Sequence, residues 1–233
     1  MDVSNRTMRN AQCEMRNANI EIIPVILAKD ERTVKRRLTL MEPLVRLVQI
    51  DVMDGTLVPQ TSWFDAEKIA GWKKNLKYEL HLMVNDPVDV MNRWLKVRGL
   101  KRVIFHAETP QKLGHLIAAA KRHKLETGIA ISPGTPIRKI EPFMKRMDMV
   151  LVMGGKPGKS GQRLDRKTLE TVRSLRRQYP KLPIGFDMGV NERTIPDLVR
   201  AGVTRLCAAS AIFGSRSPSR ALAALRNIAE RQA

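Results

Sequence analysis

Val48-Gln-Ile-Asp-Val-Met-Asp-Gly55 carries an apolar run of strand length into an aspartate, Asp51, with Gln49 two places before it. Successive side chains of a strand point to opposite faces, so Gln49 and Asp51 share one face. The run begins at Val45 and is one of eight. The others are Ile22 to Leu27, Tyr78 to Val84, Arg102 to His106, Thr127 to Ile131, Met149 to Met153, Ile184 to Asp187 and Thr204 to Ala208. Each is near-continuously apolar, as expected of strands in a parallel sheet covered on both faces, rather than of a sheet with one wet face.

Segments with helical spacing lie between the runs: Glu31 to Met41, Pro87 to Val97, Gln111 to His123, Arg166 to Gln178, Glu192 to Ala201 and Ser219 to Gln232. Asp86 before Pro87 and Asn191 before Glu192 sit where N-caps belong. Gly99 and Gly202 follow helical segments and suit a chain leaving a helix through a left-handed residue. Strand and helix alternate around the whole of 20–233, which predicts a single (β/α)8 TIM barrel of the α/β class. An open doubly wound sheet is the alternative, but no Gly-rich dinucleotide turn follows the first strand. Residues 1–19 have no clear period and read as a polar N-terminal extension without an apolar signal core.

With 43% hydrophobic residues among 233, the chain can bury one sizeable core. Only Cys13 and Cys207 carry thiols, so no disulfide framework is read and a reducing, cytoplasmic setting is expected. No stretch approaches the roughly 20 apolar residues of a membrane span. The formal charge of +19 raises the question of polyanions, yet the basic residues spread over most helices and aromatics make up only 4%. A specific nucleic-acid site would concentrate both, so none is expected. Whether the chain forms a homo-oligomer is left open.

In such a barrel the C-terminal ends of the strands and the loops after them form the reaction face. Asp51, His81 in Glu79-Leu-His-Leu-Met-Val84, and Asp187 in Gly185-Phe-Asp-Met-Gly-Val-Asn191 all fall there, and Gln49 joins them by strand parity. Two carboxylates, an imidazole and an amide are thus set to converge. Taken singly, each has a plainer explanation: a strand-end histidine is usually structural and an aspartate usually caps a turn. His106 reads as a structural strand-end residue. His115 and His123 lie on a helix with no evident task.

The ordered segments Pro24-Val-Ile-Leu-Ala-Lys-Asp30, Asp51-Val-Met-Asp-Gly-Thr-Leu-Val-Pro59, His81-Leu-Met-Val84, His106-Ala-Glu108, Val152-Met153 with Pro157-Gly158 and Gly161-Gln162, Asp187-Met-Gly-Val-Asn191 and Ser210-Ala-Ile-Phe213 resemble those of the ribulose-phosphate 3-epimerases. The resemblance implies a metal-dependent epimerase acting on a ketose phosphate, with Asp51 and Asp187 as the acid and base on opposite faces of carbon 3. It implies a divalent ion (zinc, manganese, iron or magnesium) on Asp51, His81 and Asp187. It also implies Met53, Met83 and Met153 beside the substrate, although methionines at such places are as often core fillers. Glycine-rich turns carrying Gly158, Gly161, Gly189 and Ser210 are implied to hold the phosphate.

The sequence departs from the family pattern at both ends of the site. Gln49 stands where a second histidine ligand belongs, and a neutral amide is a weak ligand that suits magnesium or manganese better than zinc. Val25 replaces a hydroxyl. Lys159 and Ser160 replace an aromatic and a glycine, Met188 replaces the glycine after Asp187, and Ala209 replaces the glycine before Ser210. Three functions remain in view: epimerisation of D-ribulose 5-phosphate, the same chemistry on another ketose phosphate such as a hexulose 6-phosphate, and a barrel that binds a sugar phosphate or polyanion without turnover.

Overall fold

The computed structural model describes residues 20–158 and 164–232. Eight parallel strands close into a barrel in sequence order, as the alternation predicts. They are β1 (Glu21–Ile26), β2 (Leu47–Met53), β3 (Lys77–Met83), β4 (Leu100–His106), β5 (Glu126–Ile131), β6 (Met149–Met153), β7 (Ile184–Asp187) and β8 (Arg205–Ala208). The helices are α1 (Glu31–Met41), α2 (Ala66–Gly71), α3 (Pro87–Trp94), α4 (Leu113–Arg122), α5 (Lys167–Gln178), α6 (Ile195–Ala201), α7 (Ser210–Phe213) and α8 (Pro218–Glu230). Between β5 and β6 two 3-10 turns, Ile137–Lys139 and Glu141–Phe143, take the place of a helix. Pro142, which would fall inside an α-helix spanning both turns, lacks the amide hydrogen that helix would need.

Strand parity sorts the interior into two cores. Val48, Ile50 and Val52 of β2 join Leu80, Leu82, Val103 and Phe105 in the layer packed against the helices, with Leu38, Trp94, Leu116 and Leu198 among the helix residues facing them. The alternate residues fill the barrel axis. Ile23, Val25, Ile104, Ala130, Met149, Leu151 and Cys207 form its apolar layer. Beneath it Arg102, only 1% exposed, donates through Nη1 to Glu79 at 2.5 Å and through Nε to Glu126 at 2.9 Å. Burial pushes the Glu79 carboxyl upward against the pull of Arg102. The axis therefore grades from an ion-paired floor through apolar packing to a polar mouth.

Two of the four end signals hold and one is corrected. Asp86 accepts from the Asp89 amide at 3.3 Å and caps α3. Gly202 closes α6 at φ 113°. Asn191, expected to cap a helix starting at Glu192, instead accepts from the amides of Arg193 and Thr194 and closes a turn; α6 begins only at Ile195, after Thr194. Gly99 has φ 96° and is obligatory, because a Cβ there would stand 2.2 Å from the Leu76 carbonyl oxygen. Gly99→Ala is expected to lower stability by about 1–3 kcal/mol from the backbone strain alone. Urea denaturation checks it, and an unshifted midpoint would contradict the prediction.

No helix among the described residues is long and apolar enough to cross a membrane. Cys207 is a free, buried thiol on β8, while Cys13 lies outside the described residues.

Candidate active site

The register of the sheet brings the polar strand ends together. β2 and β3 align Gln49 with Glu79 and Asp51 with His81, and β7 sets Asp187 beside Met153 of β6 and Cys207 of β8. Asp51 and Asp187 thus rise from opposite parts of the ring toward one axis, and each is 7% exposed or less. Gln49 lies directly beneath them, fully buried. Its Nε2 donates to Asp51 Oδ1 and to Asp187 Oδ2, both at 2.8 Å, so one amide nitrogen bridges the two carboxylates. His81 Nδ1 completes the cluster, 3.2 Å from Asp51 Oδ1 and 3.4 Å from Asp187 Oδ2.

Charge in this cluster is strongly redistributed. Burial disfavours a charged His81 ring, but hydrogen bonds and negative charge from Asp187 and Asp51 outweigh it and lift its pKa to about 10. Burial raises the Asp51 carboxyl, and the nearby charge of Asp187 adds to that rise against the hydrogen bonds from His81 and Gln49. The Cys207 thiol is pushed well up by burial and by the surrounding carboxylates. It is therefore a neutral wall residue.

The cluster opens into a cleft at the C-terminal ends of the strands. Of the residues singled out in the sequence, Asp51, His81, Met83, Met153, Gly158, Asp187, Met188, Gly189, Ala209 and Ser210 line it. Met53 does not. It packs behind the wall with Met83 and Val58. Gln49 is beneath the floor, and Lys159, Ser160 and Gly161 lie outside the described residues. Val25, Leu27, Val190 and Cys207 line the cleft as well. Parity foreshadows Cys207, which stands opposite Asp187 in the β7–β8 register.

Met188 follows Asp187 in the left-handed region, at φ 75°, and its amide donates to Asp187 Oδ1 at 2.7 Å. The backbone here keeps a conformation that glycine adopts freely and methionine adopts with strain. A bulky side chain is thereby held at the rim of the cleft.

Asp51, His81 and Asp187 each offer a ligand atom, and these atoms lie within 4.8 Å of one another, close enough to hold one metal ion. Gln49 fits as a fourth donor in a specific sense. Its Nε2 faces the carboxylates while its Oε1 is buried without a hydrogen-bond partner. The two ends of a carboxamide have nearly the same shape, so a half-turn exchanges them without repacking. That half-turn would turn the orphaned oxygen toward Asp51 and Asp187, where it could serve as a further donor to an ion held by them.

A second polar chain leads away from His81. His81 Nε2 lies 2.8 Å from His106 Nε2, and His106 Nδ1 lies 2.9 Å from Glu108 Oε2. Glu108 Oε1 accepts from the Ser132 amide at 3.1 Å and from the Thr135 hydroxyl. Burial alone would raise the Glu108 pKa, but these hydrogen bonds and the His106 ring bring it down to about 2. Burial lowers that of His106. His106, a structural residue on its sequence alone, is joined directly to the candidate metal cluster.

The match to known families agrees with this geometry. The model of the ribulose-phosphate 3 epimerase family covers residues 21–213, from the first strand to the last short helix. The chain belongs to the ribulose-phosphate 3-epimerase family. Epimerases are isomerases, and the family members compared are named accordingly. The cytoplasmic isoform of ribulose-phosphate 3-epimerase from Oryza sativa subsp. japonica is 33% identical over 223 residues, covering 91% of this chain and 96% of its own. The ribulose-phosphate 3-epimerase of Schizosaccharomyces pombe is 33% identical over 184 residues, covering 77% and 80%. Among solved structures, KGPDC from Streptococcus mutans shares the fold with a TM-score of 0.72 at 13% identity, over 90% of this chain and 97% of that one.

Proposed function

We propose that this chain interconverts D-ribulose 5-phosphate and D-xylulose 5-phosphate, with Asp51 and Asp187 as the two proton carriers. The observation that carries the reading is their convergence from β2 and β7 on one cleft, bridged by the Gln49 amide. Inversion at a carbon beside a ketone requires a proton to leave on one face and another to arrive on the opposite face. One aspartate, as carboxylate, takes the carbon 3 proton and leaves an enediolate. The other, as carboxylic acid, returns a proton to the far side, and the pair ends with the two protonation states exchanged.

Asp51, His81 and Asp187, with Gln49 Oε1 after its half-turn, would hold a divalent ion, which supplies positive charge against the developing enediolate oxygens. Met83 and Met153 wall the cleft and exclude water from the carbanionic carbon. Gly158, Gly189, Ala209 and Ser210 line the cleft, where backbone amides can face a phosphate, and a phosphate-binding role is proposed also for Lys159, Ser160 and Gly161, which follow Gly158 in the sequence. A ketose phosphate is the substrate class that uses both halves of this cleft.

One observation favours a second reading, in which a sugar phosphate is bound without turnover: the Gln49 amide already satisfies both carboxylates without a metal. The deciding experiment is conversion of D-ribulose 5-phosphate by metal-stripped protein resupplied with zinc, manganese, iron or magnesium. A hexulose 6-phosphate is assayed in parallel, since Val25, Met188 and Ala209 shape the wall. Turnover of the pentulose with at least one ion is expected. Binding without turnover of either sugar would select the second reading.

A further inference from the structure

We infer that Glu108 and His106 are positioning residues that keep a proton on His81 Nε2, so that Nδ1 is the atom presented to the metal. The inference rests on the metal-site reading proposed above. It begins with a fixed donor: the Ser132 backbone amide points at Glu108 Oε1 at 3.1 Å, and the Thr135 hydroxyl donates to the same oxygen. A carboxylate accepts only, so Glu108 Oε2 requires the proton of that contact to sit on His106 Nδ1, 2.9 Å away. His106 is buried, which favours the neutral ring, and a neutral ring protonated on Nδ1 has a bare Nε2. That nitrogen lies 2.8 Å from His81 Nε2, which then is the donor. His81 Nδ1, facing Asp51 and Asp187, is left as the nitrogen turned toward the candidate metal site.

The rings themselves support a directed bond. Their planes are only 19° apart and their centroids are 4.9 Å apart, whereas the two nitrogens are 2.8 Å apart. The rings therefore meet end to end in nearly one plane, the geometry of an N–H···N bond. Both are buried, with exposures of 0% and 1%, so water offers neither nitrogen an alternative partner. A ligand histidine whose other nitrogen is held by a hydrogen-bonded partner is fixed in tautomer and orientation, and losing such a partner typically costs about 10–100-fold in metal affinity. Here the holding partner is a second histidine, and the carboxylate acts one ring further away.

Glu108→Gln tests the polarity and not merely the contact. The Ser132 amide cannot stop donating, so the Gln oxygen must remain beside it and the NH₂ must turn toward His106 Nδ1. The relay then runs backward: His106 carries its proton on Nε2, and His81 Nε2 becomes the acceptor. His81 is left with its proton on Nδ1, the wrong side for a ligand. The experiment is nitrogen-15 NMR of the four histidine rings of the full chain, metal-free and zinc-loaded, with calorimetric zinc titration of parent and variant.

In the parent, His106 is expected to be protonated on Nδ1 and bare on Nε2. In Glu108→Gln the two are expected to exchange, with zinc affinity about 10-fold lower. His106 protonated on Nε2 in the parent overturns the inference even if the variant fails to fold. A folded Glu108→Gln with the parental tautomer or the parental zinc affinity overturns it as well. A parent that takes up no zinc overturns the metal-site reading and what the relay would serve, while its own spectrum still decides the relay's direction.

Discussion

Asp51→Asn and Asp187→Asn are each expected to lower turnover of D-ribulose 5-phosphate at least about 100-fold, the typical minimum loss when an acid or base is removed. The fold should stay intact, because asparagine keeps the shape of aspartate: at residue 51 its carbonyl oxygen can still accept the Gln49 Nε2–H, and at residue 187 its one carbonyl oxygen can accept from Gln49 or from the Met188 amide, so a single hydrogen bond is lost there. The size of the effect follows from stereochemistry. Each face of carbon 3 needs its own carrier, and a group on β2 cannot reach across to do the work of one on β7. Steady-state assays together with urea denaturation of both variants provide the check. More than about a tenth of parental activity in either correctly folded variant would refute the assignment of two carriers. Zinc titration of the same variants separates a lost proton carrier from a lost ligand, since a variant that still loads metal but does not turn over has lost the former.

Much of the barrel is legible in the sequence because its strands are buried on both faces. Outer residues such as Val48, Ile50 and Val52 must be apolar to meet the helices, and most inner ones are apolar to fill the axis. The runs therefore stand out, and Met149–Met153 and Ile184–Asp187 match to the residue. Boundaries fail where local hydrogen bonds compete. Val45 reads as the start of β2, yet its amide returns to the Met41 carbonyl and finishes the exit from α1, so pairing starts at Leu47. Val97 reads as helical, but its amide turns back to Trp94 in a tighter bond and α3 ends there.

The convergence of Asp51, His81 and Asp187 is legible because each sits at the same end of an inward-facing strand. What the amide of Gln49 does there is not. Parity places it on the right side, but only the closed register shows one nitrogen between two carboxylates. The tie between His81 and His106 is equally hidden. In the β3–β4 register His81 stands opposite Ile104, and His106 reaches it from two residues further up. His-Ala-Glu in the sequence shows only that His106 and Glu108 share a side.

Gln49→His is expected to tighten zinc binding by on the order of 100-fold, the upper range of what even outer-shell partners contribute. The parent must break two 2.8 Å hydrogen bonds and rotate the amide before its oxygen can face a cation, and a neutral amide oxygen is then a poor donor to a borderline ion. An imidazole at position 49 avoids the rotation and offers a stronger lone pair. It also removes the NH₂ group that quiets the carboxylates without metal, leaving two facing acidic groups that a dication relieves. If metal occupancy limits the reaction, epimerase activity at low zinc should rise in step. Calorimetric zinc titration beside the epimerase assay, on parent and variant, is the measurement. Unchanged affinity in a folded variant would mean that residue 49 does not face the ion, and the site built on it would fall. Tighter zinc without turnover would point instead to a barrel that binds its sugar phosphate and does not convert it, because the ligand deficit would have been repaired and the chemistry still be missing.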